Sequence, residues 1–163
     1  MGSKKSRKGF SLIEVLIAIL LVGLAIASLV GANSAFTQSN GAGTELSTAE
    51  FLLEQIREMT ALLPVVDPLT GTSTFGPETG ETLTTYDDLD DFDNTIYSPP
   101  INAERNTLND FAAYSQQIIV ENVNASDFEQ VVSDHGSNFV RITVRISMNS
   151  TEISSASWLR ARY

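Results

Sequence analysis

The chain contains no cysteine, so no disulfide staples it and no thiolate is available as nucleophile or metal ligand. Histidine is almost as scarce: the one residue, His135, lies in the turn-forming run Ser133-Asp134-His135-Gly136-Ser137. No serine stands in a nucleophile-elbow context. Without a base paired to a nucleophile, the composition argues against an enzyme. Lysine disappears after Lys8, proline is confined to positions 64–100, and charge is missing altogether from residues 15–32, VLIAILLVGLAIASLVGA.

That uncharged run is long enough to span a bilayer as a helix. Lys4, Lys5, Arg7 and Lys8 precede it, and such a cationic cluster stays on the cytoplasmic side, which sends everything after the span across the membrane. An ordinary secretory signal is the alternative, since Ala25-Ile26-Ala27 supplies a small-x-small cleavage pattern. Its apolar core, however, is usually only about 7 to 15 residues, and a carboxylate at the entrance, Glu14, has no place in a segment that is discarded.

A short basic leader ending in Gly9, followed by Phe10 and SLIEVLIA, resembles the type IV prepilin and type II secretion pseudopilin family. The resemblance implies cleavage between Gly9 and Phe10 by a prepilin peptidase on the cytoplasmic face, and N-methylation of Phe10. It also implies that Glu14 meets the N-terminal amine of a neighbouring subunit during assembly. Family partners would be other pilin or pseudopilin subunits and the inner-membrane assembly platform. The DDxDD stretch and the ending SASWLRARY resemble minor pilins of the mannose-sensitive haemagglutinin and pilus-modification types. Two departures stand out: the missing C-terminal disulfide, and Gly31 where many pilins carry a kinking proline.

Charge chemistry supports the role given to Glu14. Cleavage after Gly9 removes all four leader cations and creates one ammonium at Phe10, a partner for a carboxylate that would otherwise be costly in a low-dielectric setting. Two simpler readings are snorkelling to the interface, or pairing with its own Phe10 one helical turn away. The cut leaves six arginines facing twenty acids, a formal charge of −14, so nucleic acid is excluded as a partner.

Beyond the span, residues 34–63 read as the second half of a long helix. Gly41-Ala42-Gly43 marks a possible break, Ser47 and Glu50 have capping-box spacing, and Leu46, Ala49, Leu53, Ile56 and Leu63 recur at helical intervals before Pro64. Residues 64–113 hold every proline and read as loop. Residues 114–163 alternate as strands, clearest in FVRITVRISM, where Val140, Ile142, Val144, Ile146 and Met148 share a face. Turn residues between the strands favour antiparallel neighbours in a meander.

Within YDDLDDFDN, Asp87, Asp88, Asp90, Asp91, Asp93 and Asn94 put six carboxylate or amide side chains into eight positions. Asp88, Asp90, Asp91 and Asp93 are the only metal candidates, for Ca²⁺, but the spacing lacks the glycine and distal glutamate of an EF-hand loop, so no cofactor is expected. The expectation is therefore an α+β, pilin-like protein: leader 1–9, membrane and assembly helix 10–33, periplasmic half-helix 34–63, loop 64–113 and antiparallel sheet 114–163. Its expected function is that of a single-pass inner-membrane minor (pseudo)pilin that enters a fibre. A membrane-anchored periplasmic binding module that never polymerises is the alternative.

Overall fold

A computed structural model describes residues 9–162; the leader cations Lys4, Lys5, Arg7 and Lys8 lie outside them. Among these residues one α-helix and five strands, with short 3-10 turns at Asp90–Phe92 and Asn109–Phe111, follow in the order α1 (Leu12–Thr60), β1 (Thr95–Tyr97), β2 (Tyr114–Asn124), β3 (Asp127–Val131), β4 (Phe139–Met148) and β5 (Thr151–Ala161). The chain clusters into two compact units divided between Gly43 and Thr44. The expected interruption at residues 41–43 is not a break in secondary structure, because helical hydrogen bonding continues through them. A glycine in a helix interior costs about 1 kcal/mol relative to alanine, which weakens a helix of this length without ending it. Ser47 and Glu50 accordingly lie inside α1 and cap nothing.

In the first unit, residues 12–43, every side chain of α1 is exposed, including Leu29 at 71%. In the second unit α1 turns one apolar face inward. Ala49, Leu52, Leu53, Ile56 and Met59 are buried against Ile118 and Val120 of β2 and Val140, Ile142, Val144 and Ile146 of β4. Ala49, Leu53 and Ile56 are buried as expected, Leu52 and Met59 join them, and Leu46 stays out at 48% exposed. Alternation makes the opposite surface of the sheet polar. There Arg141 pairs with Glu121 at 2.8 Å, and Thr143 meets Ser157 of β5 at 2.9 Å.

All strand pairs are antiparallel, with the order β1-β2-β4-β5. The arrangement is not the simple meander expected: β3 pairs only with the end of β2, and β4 returns beside β2 rather than beside β3. The reason lies in β3 itself, five residues all exposed, which offers no buried face for a further neighbour.

Two polar side chains join these layers. Gln116 of β2, fully buried, donates to Leu52 O at 2.9 Å and Ile101 O at 3.1 Å, and accepts Ile101 N at 2.7 Å. Arg160 of β5 closes the end of α1, donating to Thr60 O, Ala61 O and Leu63 O at 3.0, 2.8 and 3.0 Å. The last carbonyls of a helix have no partner within it, so an arginine fork is an effective cap. Arg160 is thus more than an edge residue; Trp158, in the same strand, lies under the Arg57 guanidinium at 5.3 Å.

Gln116→Leu should destabilise the second unit by about 2 to 4 kcal/mol, because the Ile101 amide and carbonyl would be buried without partners. Arg160→Ala should cost about 1 to 3 kcal/mol, and Arg160→Lys should not restore it, since an ammonium cannot fork across three carbonyls. Thermal unfolding of the full chain in mild detergent, followed through Trp158 emission, measures both.

Candidate functional site

Two places carry unusual chemistry, one at the start of α1 and one in the connection between α1 and β1. Gly9 and Phe10 precede the helix, and Ser11 is its N-cap. Ser11 N and Oγ both donate to Glu14 Oε2, at 3.1 and 3.3 Å, and Glu14 N returns a bond to Ser11 Oγ at 3.3 Å. This is a reciprocal capping box, S-x-x-E, which satisfies amides that the first turn leaves unpaired. Sequence reasoning weighed Glu14 as a charge in an apolar segment and overlooked this spacing, although Ser11-Leu12-Ile13-Glu14 displays it.

The fold makes no demand for glycine at position 9. Among the described residues a Cβ there would meet nothing within 4 Å, and no left-handed φ is imposed on it. Phe10 is 86% exposed, and behind it Leu12, Ile13, Val15, Leu16 and Ile17 are exposed on all sides of the helix. By length and composition α1 can cross a membrane. An apolar surface of this extent does not persist in water and needs lipid or other chains around it.

The second place is built by carboxylates that hold backbone. Asp88 Oδ1 accepts Asp90 N and Asp91 N at 3.0 and 3.2 Å, while Asp91 Oδ2 accepts Asp87 N and Asp88 N at 2.9 and 3.2 Å. Asp90 reaches further, taking Gly76 N at 2.8 Å on Oδ1 and facing His135 Nε2 at 3.0 Å on Oδ2. Asp93 turns to the sheet, where its Oδ1 accepts Val120 N at 2.8 Å. His135 does occupy a turn, with φ of 55°, but its ring crosses to the acid loop and contacts Phe75 edge-on at 5.3 Å.

Of the four aspartates singled out in the sequence, Asp88, Asp90 and Asp91 bring one oxygen each to within 4.8 Å of one another, and Asp93 is outside the group. Burial, followed by the charge of Asp90, pushes the Asp88 carboxyl up to about 8. Burial also raises Asp90, against the opposing hydrogen bonds from Gly76 and His135. A second group was not foreseen: Glu78, Glu81 and Asp91 also present oxygens within 4.8 Å. Glu78 and Glu81 lie ten or more positions upstream of Asp91, and no local spacing announces their return to it.

Nothing among curated proteins or solved structures matches the chain. Residues 4–30 match the model of the prokaryotic N-terminal methylation motif, which places Gly9, Phe10 and Glu14 inside the matched segment. The chain therefore carries a type IV prepilin-like signature on an α+β, pilin-like fold, with a long N-terminal helix and a five-stranded antiparallel sheet.

Proposed function

We propose that the protein is a minor (pseudo)pilin: a single-pass inner-membrane subunit cut between Gly9 and Phe10, N-methylated on Phe10, and built into a type IV pilus or a type II secretion pseudopilus. The observation that carries the reading is the conjunction at the head of α1. A glycine that the described residues do not require stands before an exposed Phe10, and one carboxylate, Glu14, guards the wholly exposed apolar part of α1, residues 12–43. A glycine without a conformational role is explained when a peptidase reads it. An apolar helix with one acid in its first turn is explained when lipid covers it first and other helices cover it later.

The capping box gives Glu14 a role within a single chain and leaves room for a second one. Both bonds from Ser11 go to Oε2, and among the described residues Oε1 accepts nothing. In a packed fibre that oxygen can take the Phe10 ammonium of a neighbour. The same carboxylate would end its own helix correctly and set the register of the next.

Processing is checked by intact mass and N-terminal analysis of membrane-extracted protein. The expected species begins at Phe10, is one methyl group heavier than the bare chain, and keeps the whole apolar segment; an N-terminus at Ser28 would identify a signal peptide instead. Gly9→Val should block the cut while leaving the folded domain unchanged by Trp158 emission.

Assembly is tested with Glu14→Gln, which keeps an acceptor for the capping box and removes the charge. The variant should be cleaved and membrane-resident, yet depleted at least about tenfold from sheared fibres, since breaking a buried pair costs roughly 3 to 5 kcal/mol. Glu14→Ala loses the box as well, about 0.5 to 2 kcal/mol more. Glutamine incorporated at wild-type levels would refute the fibre role and leave a membrane-anchored module that does not polymerise.

A further inference from the structure

We propose that the connection between α1 and β1 holds one divalent cation of the Ca²⁺ class on the carboxylates of Glu78, Glu81 and Asp91. The inference does not depend on the fibre reading. Three carboxylates converge here with one oxygen each within 4.8 Å. Asp91 is fully buried, its Oδ2 is committed to two backbone amides, and its Oδ1 is buried with no hydrogen-bond partner. A buried carboxylate oxygen that accepts nothing is costly unless a proton or a cation meets it. The neighbouring Asp87 repeats the pattern, since its Oδ1 is also buried and unpartnered.

Among the described residues, no cation is within ion-pair distance of Asp91. Arg105 approaches, but its guanidinium donates to Leu83 O at 2.8 Å and Tyr86 O at 2.7 Å and stacks over Phe92 at 5.5 Å. The group formed by Asp88, Asp90 and Asp91 is a poorer candidate. Asp88 Oδ1 and both oxygens of Asp90 already take backbone amides or His135. Glu78 and Glu81 keep more capacity: Glu78 Oε1 accepts Thr70 Oγ1 at 2.8 Å, and Glu81 Oε2 accepts Glu78 N at 3.2 Å. Both are only half-buried, so water can complete the shell. An all-oxygen, carboxylate-rich set with irregular geometry suits Ca²⁺, which takes six to eight oxygens flexibly, better than Mg²⁺, which demands a near-ideal octahedron.

The proton is the rival occupant, and the same crowding favours it. Burial, then the charge of Asp91, a side-chain hydrogen bond in which a protonated Glu81 would meet Asp91, and the charge of Glu78 raise the Glu81 carboxyl, and burial with the charges of Asp67, Asp91 and Glu78 raises Asp87. The experiment must therefore separate a bound cation from a shared proton.

Full-length protein in mild detergent, stripped with a chelator, is titrated with Ca²⁺ by calorimetry at neutral pH. One saturable site per chain is expected, with Kd between about 10⁻⁵ and 10⁻³ M, together with a rise of several degrees in the Trp158-reported Tm and a much weaker response to Mg²⁺. The double variant Glu78→Gln/Glu81→Gln should lose at least tenfold in affinity, while the exposed Asp110→Asn leaves it unchanged. Because Asp91→Asn risks the fold through its two amide bonds, Tb³⁺ luminescence offers a readout on the intact site. Tyr86, whose hydroxyl senses Asp91 and Glu81, should sensitise it, and Tyr86→Phe should abolish it. Absence of saturable Ca²⁺ binding, or binding unaltered in the double variant, overturns the proposal. So does a Tm that ignores Ca²⁺ yet rises in Glu81→Gln, which would establish the shared proton.

Discussion

Every buried backbone amide needs an acceptor, and between α1 and β1 no strand ladder supplies one. Side-chain oxygens do so instead. Asp67 receives the amides of Leu69 and Thr70, Glu81 that of Glu78, Asp91 those of Asp87 and Asp88, Asp88 those of Asp90 and Asp91, and Asp90 that of Gly76. This scaffolding sets Leu89 and Phe92, both fully buried, into the core beneath the loop. The acid-rich run is therefore internal framework rather than solvated surface. Its side effect is that burial, aided by the charges of neighbouring carboxylates, raises Asp88, Asp90, Asp87 and Glu81 together.

What could be read from the sequence was what is local or periodic. The uncharged run and the alternation of β4 each declare themselves within fewer than twenty residues, and the structure has a helix over the first and a strand with one buried face at the second. The misreadings have two causes, local propensity weighed alone and deciding contacts that lie far along the chain. Gly41 and Gly43 look like a break when only their own propensity counts, and α1 continues through them. Asp90 looks like a solvated acid until Gly76, 14 residues away, and His135, 45 away, are placed against it. The pairing of β4 with β2 passes over β3, whose five residues all stay exposed, and that exposure is visible only after the core is assigned. The capping box at Ser11 is the exception. It was fully local, and was missed because Glu14 already had a more conspicuous explanation.

Glu14 shows how one side chain can carry two constraints at different levels of organisation. Its bonds to Ser11 are made within one chain and are settled once the helix forms. Any bond from its other oxygen to a second chain is settled only on packing. Asp91 follows the same scheme, with Oδ2 given to the backbone and Oδ1 left over. In both, one oxygen of the carboxylate is committed to its own chain while the other remains available.

The grip of Arg160 on the end of α1 has a consequence for the order of events during synthesis. Its three acceptors, Thr60, Ala61 and Leu63, precede it by 100, 99 and 97 residues, so the helix terminus emerges long before the side chain that closes it. Ser154 likewise reaches back 104 positions to Glu50. Such long loops slow the search for native contacts and leave intermediates with apolar surface uncovered. Until β5 arrives, α1 presents Leu52, Leu53 and Ile56 without their completed lid, and that interval is when a holdase has most to protect.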